Sequence, residues 1–305
     1  MLDLSVVILT YNEEIHISRC IRSVSSIARK VIVVDSESND NTVKLATSLG
    51  AEVYTHKWPG NQAAQFNWAL DNIPISTEWV LRLDADEYPS QELLAELNER
   101  LPEMDADTNG VLLPLKNIWM GKLLNRGGSK IKILRLFRYG YGRYESRMMD
   151  EHIEISDGNI IEFVNPFIDD NINNLSWWTN KHVGYAIREA VELLDLKYNI
   201  SGGQSGNNLN KLSSEAKRRR ELKLKYAKQP LFWRSFAYFI YRYFVKGGVF
   251  EGKEGFLRHF LQGWWYRTLV DANIFQIEKN TGGDPDKIKI LLKQQYGIDF
   301  DENRS

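Results

Sequence analysis

The chain has 305 residues, of which 43% are hydrophobic, and this is enough for one sizeable core or for a core with an accessory segment. The formal net charge is −1, so the whole molecule shows no bias toward a polyanionic partner. The single cysteine, Cys20, excludes an intramolecular disulfide and suits a reducing compartment. We expect no signal peptide, because residues 1–4 lead directly into a strand-like run, and no uncharged apolar stretch is long enough for a transmembrane helix.

The first third of the chain alternates between apolar, β-branched runs and amphipathic segments. Buried strands are predicted at residues 4–10, 30–35, 52–54 and 79–83, and helices at residues 17–24, 42–49 and 62–70. This alternation predicts a parallel, doubly wound α/β sheet. Ligands of such sheets bind outside the carboxyl ends of the strands, where Thr10, Asp35 and Asp84 fall.

The tripeptide Asp84-Ala85-Asp86 ends the fourth predicted strand. Hard divalent cations such as Mg²⁺ prefer oxygen ligands and often share them with the phosphates of a substrate. One division of roles gives Asp84 the nucleoside and Asp86 the metal. A polar strand exit explains the tripeptide taken alone, but three strand ends that carry polar groups to one crevice favour a nucleotide-diphosphate site.

The middle of the chain is predicted to be strand-like and irregular at residues 110–161 and helical at residues 176–196. Within it, Asp150-Glu151-His152 groups three titratable side chains that are suited to general-base chemistry, although an exposed acidic loop explains the tripeptide as well. Nearby basic residues either bind a diphosphate or an anionic acceptor, or form a solvated basic face: Arg126, Lys130, Lys132, Arg135, Arg138, Arg143 and Arg147.

The C-terminal region is basic and aromatic. Residues 211–270 hold 14 Lys or Arg against 4 Asp or Glu, and residues 226–266 hold 15 of the 36 aromatic residues. One helical stripe is polar and a second is apolar: Arg234, Tyr238, Arg242 and Lys246 against Trp233, Phe236, Ile240 and Phe244. The pattern is typical of an interfacial helix with its cations toward anionic lipid. An amphipathic pair packed on the rest of the protein explains it too, and it does not by itself indicate a nucleic-acid partner.

Three of these segments together resemble family 2 glycosyltransferases with the GT-A fold. They are residues 5–14, residues 33–36 and residues 83–87, which read SVVILTYNEE, VVDS and LDADE. The resemblance is specific in order and spacing over about the first 90 residues and extends more loosely to residues 150–151. The chain is most similar to the bacterial branch that builds lipopolysaccharide core, capsule or exopolysaccharide.

The resemblance implies roles for the nucleotide-binding residues. Thr10, Tyr11, Asn12 and Glu13 match the first-strand motif that holds the nucleotide base. Asp35 matches the acid that reads the base, which is usually uracil.

It also implies a metal site and a catalytic base. Asp84, Ala85 and Asp86 match the DxD motif, with Asp86 as the ligand of Mg²⁺ or Mn²⁺. Glu151 matches the acid that serves as base, and Asp150 stands where the family often has a histidine, so Asp150 remains a rival for the base.

One further departure concerns the segment before the predicted helix at residues 177–190. The family often has a histidine just before this helix, whereas this chain has Asp169-Asp170-Asn171 there. A metal role for this segment is therefore not expected.

The implied function is that of a metal-dependent inverting glycosyltransferase of the hexosyltransferase type. It would move a sugar from a nucleotide-diphosphate sugar, with UDP as the expected nucleotide, to a hydroxyl of a glycan or lipid-linked glycan acceptor. We expect residues 1–110 to bind the donor, residues 111–200 to supply the acceptor site and base, and residues 201–305 to form a membrane-associating helical extension. The expected location is cytoplasmic, peripheral on the inner face of the cytoplasmic membrane and in contact with its anionic surface.

Two other functions remain open. A sugar nucleotidyltransferase usually opens with a glycine-rich loop that bears lysine or arginine, and residues 10–14 do not form one. A non-catalytic protein that binds a nucleotide sugar or a glycan would keep its activity after Glu151→Gln, whereas a transferase would lose turnover.

Overall fold

The computed structural model describes residues 1–128, 131–145, 152–200 and 214–300, with the backbone alone for residues 214–220. These residues form two compact units. A sheet unit contains residues 1–124, 131–145, 152–172 and 214–217, and a helical unit contains residues 125–128, 173–200 and 218–300.

The first half of the sheet unit alternates strands and helices in the predicted order. Its elements are β1 (Leu2–Thr10), α1 (Ile17–Val24), β2 (Ala28–Asp35), α2 (Thr42–Ser48), β3 (Glu52–Thr55), α3 (Gln62–Asn72) and β4 (Trp79–Asp84). The second half has more strands: β5 (Glu87–Pro89), α4 (Gln91–Arg100), β6 (Thr108–Trp119), β7 (Lys122–Leu124), β8 (Ile131–Arg138), β9 (Gly142–Tyr144), β10 (Ile153–Ile155), β11 (Asn159–Glu162) and β12 (Phe167–Asp169).

Ten of the described strands form one sheet, whose main path runs β3-β2-β1-β4-β8-β6-β12-β5. β1 lies between β2 and β4 and is parallel to both, and β2 is parallel to β3. β8 then pairs antiparallel with β4 and with β6, while β12 is parallel to β6. The sheet is thus mainly parallel in its first half, and the predicted α/β, GT-A-type class is confirmed.

Both faces of β1 are covered, and this explains its continuous apolar sequence. Leu4, Val6 and Ile8 point into a core that includes residues of α1 and α4. Val7 and Leu9 point to the other face, into a second core built around Phe66 of α3. Since alternate residues of a strand face opposite sides, each helix layer receives every second side chain of β1.

The rest of the described chain is helical. Its elements are α5 (Leu175–Tyr198), α6 (Ser214–Ala227), α7 (Trp233–Ile240), a π-helical continuation (Tyr241–Val245), a 3-10 turn (Gly248–Glu251), α8 (Gly252–Arg258), a second π-helical stretch (His259–Trp265), α9 (Tyr266–Thr281) and α10 (Pro285–Tyr296). The side chain of Asn174 caps α5 by accepting a hydrogen bond from Trp177 N at 2.9 Å. The core of the helical unit includes Ala190 and Leu194 of α5 and Ile274 and Ile277 of α9.

The polar stripe predicted for the helix around residue 240 faces outward only at its end, where Lys246 is exposed. Arg234, the first residue of that stripe, is buried and forms an ion pair with Asp271 at 2.5 Å. Trp233 and Phe244 of the apolar stripe are exposed instead. The expectation that Arg234 faces anionic lipid is therefore wrong, because this cation is neutralised inside the helical unit. No helix in the described part of the chain has both the length and the apolar character needed to cross a bilayer.

Candidate functional site

Three strand ends meet at the carboxyl edge of the sheet, as the alternation of strands and helices predicts. In the register of β1 with β2, Thr10 lies opposite Asp35, and in the register of β1 with β4, Leu9 lies opposite Asp84. The candidate residues are therefore neighbours through backbone pairing, without help from any loop. Because the strands are rigid, they hold one side of a ligand crevice at that edge in a fixed position.

Asp35 is almost fully buried, at 1% exposure, and its carboxylate organises the surrounding backbone. Its Oδ1 accepts hydrogen bonds from Thr10 Oγ1 at 2.8 Å and Ser38 Oγ at 2.6 Å. Its Oδ2 accepts a hydrogen bond from Ser38 N at 2.7 Å. The carboxylate thus fixes the end of β1 and the loop after β2 in one arrangement.

The loop after β1 is held against the loop after β2 by Asn12. Asn12 N donates to Ser38 Oγ at 2.8 Å, and Asn12 Oδ1 accepts from Asn39 N at 3.0 Å. Asn12 has a φ of 55°, a left-handed conformation that asparagine tolerates better than most residues. Beside it, the ring of Tyr11 is 58% exposed, so it offers a flat aromatic surface at the edge of the crevice.

His16 belongs to this site, although sequence reasoning did not single it out. It is fully buried, and its Nδ1 lies 2.6 Å from Oε2 of Glu13. Ile172 N donates to its Nε2 at 3.0 Å, so Nε2 is the acceptor and Nδ1 carries the proton. The histidine joins the predicted nucleotide-binding loop to the segment that follows β12.

Asp84 is held by two guanidinium groups. Arg82 donates to Oδ1 at 2.7 Å and to Oδ2 at 3.0 Å, and Arg135 of β8 donates to Oδ2 at 3.1 Å. Arg135 also donates to Glu87 at 2.7 Å, and Glu87 accepts from Asp84 N at 2.8 Å. The result is a buried network of two cations and two carboxylates directly behind the site.

This network corrects the interpretation of the basic stretch. Arg135 is buried, so it is neither part of a solvated face nor exposed to a ligand. Arg138 forms an ion pair with Glu78, Arg143 with Asp71 at 2.7 Å, and Lys132 with Glu162. Lys130 and Arg147 lie outside the described residues.

Burial raises the pKa of the Glu87 carboxyl well above its usual value, and the charge of Asp84 acts in the same direction. Burial lowers the pKa of the Arg82 guanidinium. The negative charge of Asp84 has the largest opposing effect, and the pKa of Arg82 therefore stays above its usual range. Since Arg82 stays cationic beside it, the carboxylate of Asp84 has a fixed counter-ion.

Asp86 is in a different environment from Asp84. Asn171 Nδ2 donates to Asp86 Oδ2 at 2.8 Å, and the backbone oxygen of Asp86 accepts from Asp170 N at 3.1 Å. Arg19 donates to Asp170 Oδ2 at 2.5 Å and so fixes the same segment. Asp86 Oδ1 has no hydrogen-bond partner among the described residues. Arg19 and Asn171 were not predicted as site residues, because only the fold brings α1 and the segment after β12 to the strand end.

The donor set at Asp86 fits a divalent cation that arrives with a substrate. In the described part of the chain, no three His, Cys, Asp or Glu side chains are grouped so as to hold a metal ion. Mg²⁺, however, commonly binds through one or two carboxylates together with substrate phosphates and water. One open carboxylate oxygen is thus compatible with a metal-diphosphate complex, although it does not form a metal site by itself.

The two candidate bases, Asp150 and Glu151, lie outside the described residues. The residues on either side of that segment are paired, since Glu145 N donates to His152 O at 3.0 Å. The hydroxyl of Tyr144, the residue before Glu145, accepts a hydrogen bond from Arg135 at 3.5 Å. The backbone of Tyr144 is tied to α3, since Asn67 exchanges two 3.0 Å hydrogen bonds with it. The strand that leads into the segment therefore ends beside the Asp84 network.

Comparison with known proteins places these features in a family. Residues 5–118 match the model of glycosyl transferase family 2. An uncharacterized glycosyltransferase of Rickettsia typhi is 31% identical over 264 residues, which cover 83% of this chain and 81% of that protein. The lipopolysaccharide core biosynthesis glycosyltransferase LpsC of Rhizobium meliloti is 31% identical over 170 residues, which cover 52% of this chain and 59% of that protein.

Among solved structures, glucosyl-3-phosphoglycerate synthase from Mycobacterium tuberculosis, in complex with Mn²⁺, UDP and glucosyl-3-phosphoglycerate, aligns with a TM-score of 0.30 and 25% identity. The alignment covers 39% of this chain and 44% of that chain. The family assignment depends instead on the sequence relatives and on the three strand ends that meet at the carboxyl edge. On these grounds, the chain belongs to glycosyl transferase family 2.

Proposed function

We propose that this glycosyltransferase is metal-dependent and inverting, and that its donor is a UDP-sugar. The observation that carries the proposal is the position of Asp86, which presents an open carboxylate oxygen at the edge where Thr10, Asp35 and Asp84 meet. Residues 1–110 bind the donor in this proposal, and residues 111–200 supply the acceptor side and the base.

Donor binding uses the two loops that Asp35 and Asn12 hold together. The exposed ring of Tyr11 provides a surface for the base, and the ordered backbone from residue 10 to residue 13 provides polar groups around it. The carboxylate of Asp35 is almost fully buried, so Asp35 shapes the site for the nucleotide base by holding these two loops in place. Asp84 holds the nucleoside side of the crevice while Arg82 and Arg135 neutralise its charge.

Asp86 is the residue that would hold Mg²⁺ or Mn²⁺, with Asn171 and Arg19 keeping the strand exit in place. A divalent cation bound there with the diphosphate would offset the negative charge that develops on the leaving group. The buried network behind Asp84 keeps this carboxylate from drawing the cation away from Asp86, because both of its oxygens already accept charged hydrogen bonds.

Glu151 is the proposed base. It would take the proton of an acceptor hydroxyl while that oxygen forms a bond to the anomeric carbon from the face opposite the nucleotide. The bond from the anomeric carbon to the diphosphate breaks in the same step, and UDP leaves with the electron pair. The end of β9 supports the proposal, since Tyr144 shares the guanidinium of Arg135 with Asp84.

The acceptor is proposed to be a glycan or a lipid-linked glycan in surface polysaccharide or lipopolysaccharide synthesis, at the inner face of the cytoplasmic membrane. The similarity to LpsC, a lipopolysaccharide core biosynthesis glycosyltransferase, supports this class of acceptor. Family membership favours glycosyl transfer over nucleotidyl transfer to make the nucleotide sugar.

The test separates transfer from binding. Glu151→Gln should lower UDP release from a panel of UDP-sugars, supplied with a lipid-linked glycan extract, by roughly 10²–10⁴-fold. The affinity for UDP should change little, because the base contacts the acceptor. Asp150→Asn is the matched control and should retain turnover. Loss of turnover in Asp150→Asn alone would make Asp150 the base, and full turnover in both variants would contradict the assignment of a base to this segment.

A further inference from the structure

Two helical arms of the helical unit form an antiparallel hairpin that we call the aromatic hairpin, residues 233–281. The first arm runs through α7 and its π-helical continuation, and the second runs from α8 to α9. Ring contacts show the antiparallel direction, since Phe239 stacks on Trp264 at 5.4 Å while Tyr243 contacts Phe256 at 5.7 Å. The tip of the hairpin, residues 244–250, joins the two arms.

Three arginines of the hairpin arms point into the protein. Arg234 Nε and Nη2 donate to Asp271 Oδ1 at 2.8 and 2.5 Å, in a pair whose side chains are almost fully buried. The guanidinium of Arg267 lies 4.3 Å from the ring centroid of Tyr238, and Arg242 Nε donates to the backbone oxygen of Gly127 at 2.6 Å. Each of these three guanidinium groups therefore already has a partner within the helical unit.

Phe239, Ile274 and Ile277 of the hairpin are buried, but a second set of its apolar side chains points outward. The most exposed ones lie on the first arm, at the tip and at the start of the second arm: Trp233 at 72%, Phe244 at 55%, Val245 at 70%, Phe250 at 74% and Phe256 at 42%. A water-soluble helix pair normally has the opposite arrangement, with its apolar stripe inside. The outward apolar stripe therefore requires a partner other than water.

The outward rings form a connected surface. Trp233 contacts Phe236, Phe236 contacts Trp264, and Trp264 contacts Phe260, with centroid distances of 6.5, 5.1 and 5.8 Å. Phe260 stacks on Phe256 at 5.8 Å, and so the series continues along the second arm toward the tip. Monomeric soluble proteins rarely expose continuous apolar patches of this kind unless the patch has a binding role.

The charges around this surface favour anionic lipid over a protein. From residue 224 to residue 254 the sequence has six Lys or Arg and two acids, Glu251 and Glu254. Glu251 is buried and accepts a hydrogen bond from Asn125 N at 3.0 Å. Lys246 and Lys253 are exposed near the tip, beside Phe244, Val245 and Phe250. Lysine is depleted from protein–protein interfaces, whereas lysine beside aromatic rings is typical of segments that bind the headgroup region of anionic bilayers.

We propose that the tip of the aromatic hairpin inserts Phe244, Val245 and Phe250 into the headgroup region of an anionic lipid bilayer, with Trp233 and Phe256 at the interface. This inference identifies the surface that would place the enzyme at the membrane. Its biological role rests on the proposed function, but the lipid binding itself requires neither donor nor acceptor. Because no described helix is long and apolar enough to cross a bilayer, the hairpin would lie in one leaflet.

The experiment is co-sedimentation of the full chain with vesicles of phosphatidylcholine that contain phosphatidylglycerol, compared with phosphatidylcholine alone. The double variant Phe244→Ser/Phe250→Ser should bind the anionic vesicles about 30-fold more weakly than the wild type, because it removes two of the inserted rings. The double variant Lys246→Glu/Lys253→Glu should lose about tenfold or more in binding to anionic vesicles and little on neutral ones. The matched control Val164→Ser/Ile290→Ser removes two equally exposed apolar side chains outside the hairpin and should bind as the wild type does.

Absence of vesicle binding by the wild type, or equal losses in the tip variant and the control, would overturn the proposal. A wild-type protein that self-associates with concentration in gel filtration, while the tip variant stays monomeric and lipid has no effect, would assign the surface to a second copy instead. Calorimetric binding of UDP is measured on every variant in parallel. Retained UDP binding shows that the variants fold, and it keeps a failure of the lipid proposal distinct from a failure of the proposed transferase function.

Discussion

Individual residues of the site could be predicted only as far as the ends of the strands. The positions of Thr10, Asp35 and Asp84 follow from local patterns, since each lies at the end of an apolar run. The partners of Asp84 do not follow from such patterns, because Arg135 is 51 residues away along the chain. Arg135 lies near Asp84 only because β8 pairs antiparallel with β4. A basic residue in a basic stretch gives no local sign that it is buried.

Replacing Arg135 tests the buried network. Arg135→Met should lower the free energy of unfolding by about 3–5 kcal/mol, because it leaves the carboxylates of Glu87 and Asp84 with less compensation. Arg143→Met is the matched control, since it removes an exposed ion pair with Asp71 and should cost less than about 1 kcal/mol. Urea unfolding of both variants measures the difference, and equally small losses would show that the Arg135 network does not stabilise the fold.

Asn171 is expected to act as a positioning residue for Asp86. Asn171→Ala removes the hydrogen bond to Asp86 Oδ2. The Mn²⁺ concentration needed for half-maximal UDP binding should rise by about tenfold. Asn72→Ala, which removes an exposed hydrogen bond to the backbone of Trp68, is the control. The same Mn²⁺ dependence in both variants and in the wild type would argue against a role for Asn171 at the site.

At the scale of elements, the type and order of the helices and strands were more predictable than the direction in which they face. The alternation of apolar strands and amphipathic helices up to residue 84 is reproduced in the structure, with helix ends displaced by at most a few residues. For α7, helical periodicity correctly separates a polar from an apolar stripe, but periodicity alone does not show which stripe is inside. That choice depends on Asp271, 37 residues further along the chain, which neutralises Arg234.

The helical unit should lose stability in mild acid. Burial lowers the pKa of His182 to about 4, with Arg258 and Lys181 acting in the same direction. Burial also lowers the pKa of His259 to about 4. Because both values are below the ordinary value near 6.5, the unfolded chain takes up these protons first as the pH falls. Stability is thus complete above pH ~6.5 and decreases as the pH falls toward ~4.

Urea unfolding across this range measures the effect, with His182→Gln as the comparison. The variant should show a shallower decline than the wild type, because one of the two histidines no longer titrates. If stability declines with pH equally steeply in the variant and the wild type, His182 takes up its proton as readily in the folded protein as in the unfolded chain.

At the scale of the whole molecule, the chain combines a glycosyltransferase sheet unit with a helical unit of different character. Family membership could be recognised from the first 90 or so residues, because the strand-end motifs are local and keep their order. The further site residues His16, Arg19 and Asn171 could not, since they meet the strand ends only after the segment following β12 folds against α1. The acceptor side depends on the irregular region after residue 110, where local patterns are weakest.

We propose that Asp86 holds a divalent cation that binds together with a nucleotide diphosphate. Calorimetric titration of the full chain with UDP, with and without Mn²⁺, tests it most directly. Asp86→Ala is compared with the control Asp157→Asn, which changes an exposed carboxylate away from the site. We expect UDP binding to require Mn²⁺, to be lost in Asp86→Ala and to be retained in Asp157→Asn. Equal UDP binding by Asp86→Ala and the wild type in the presence of Mn²⁺ would contradict it.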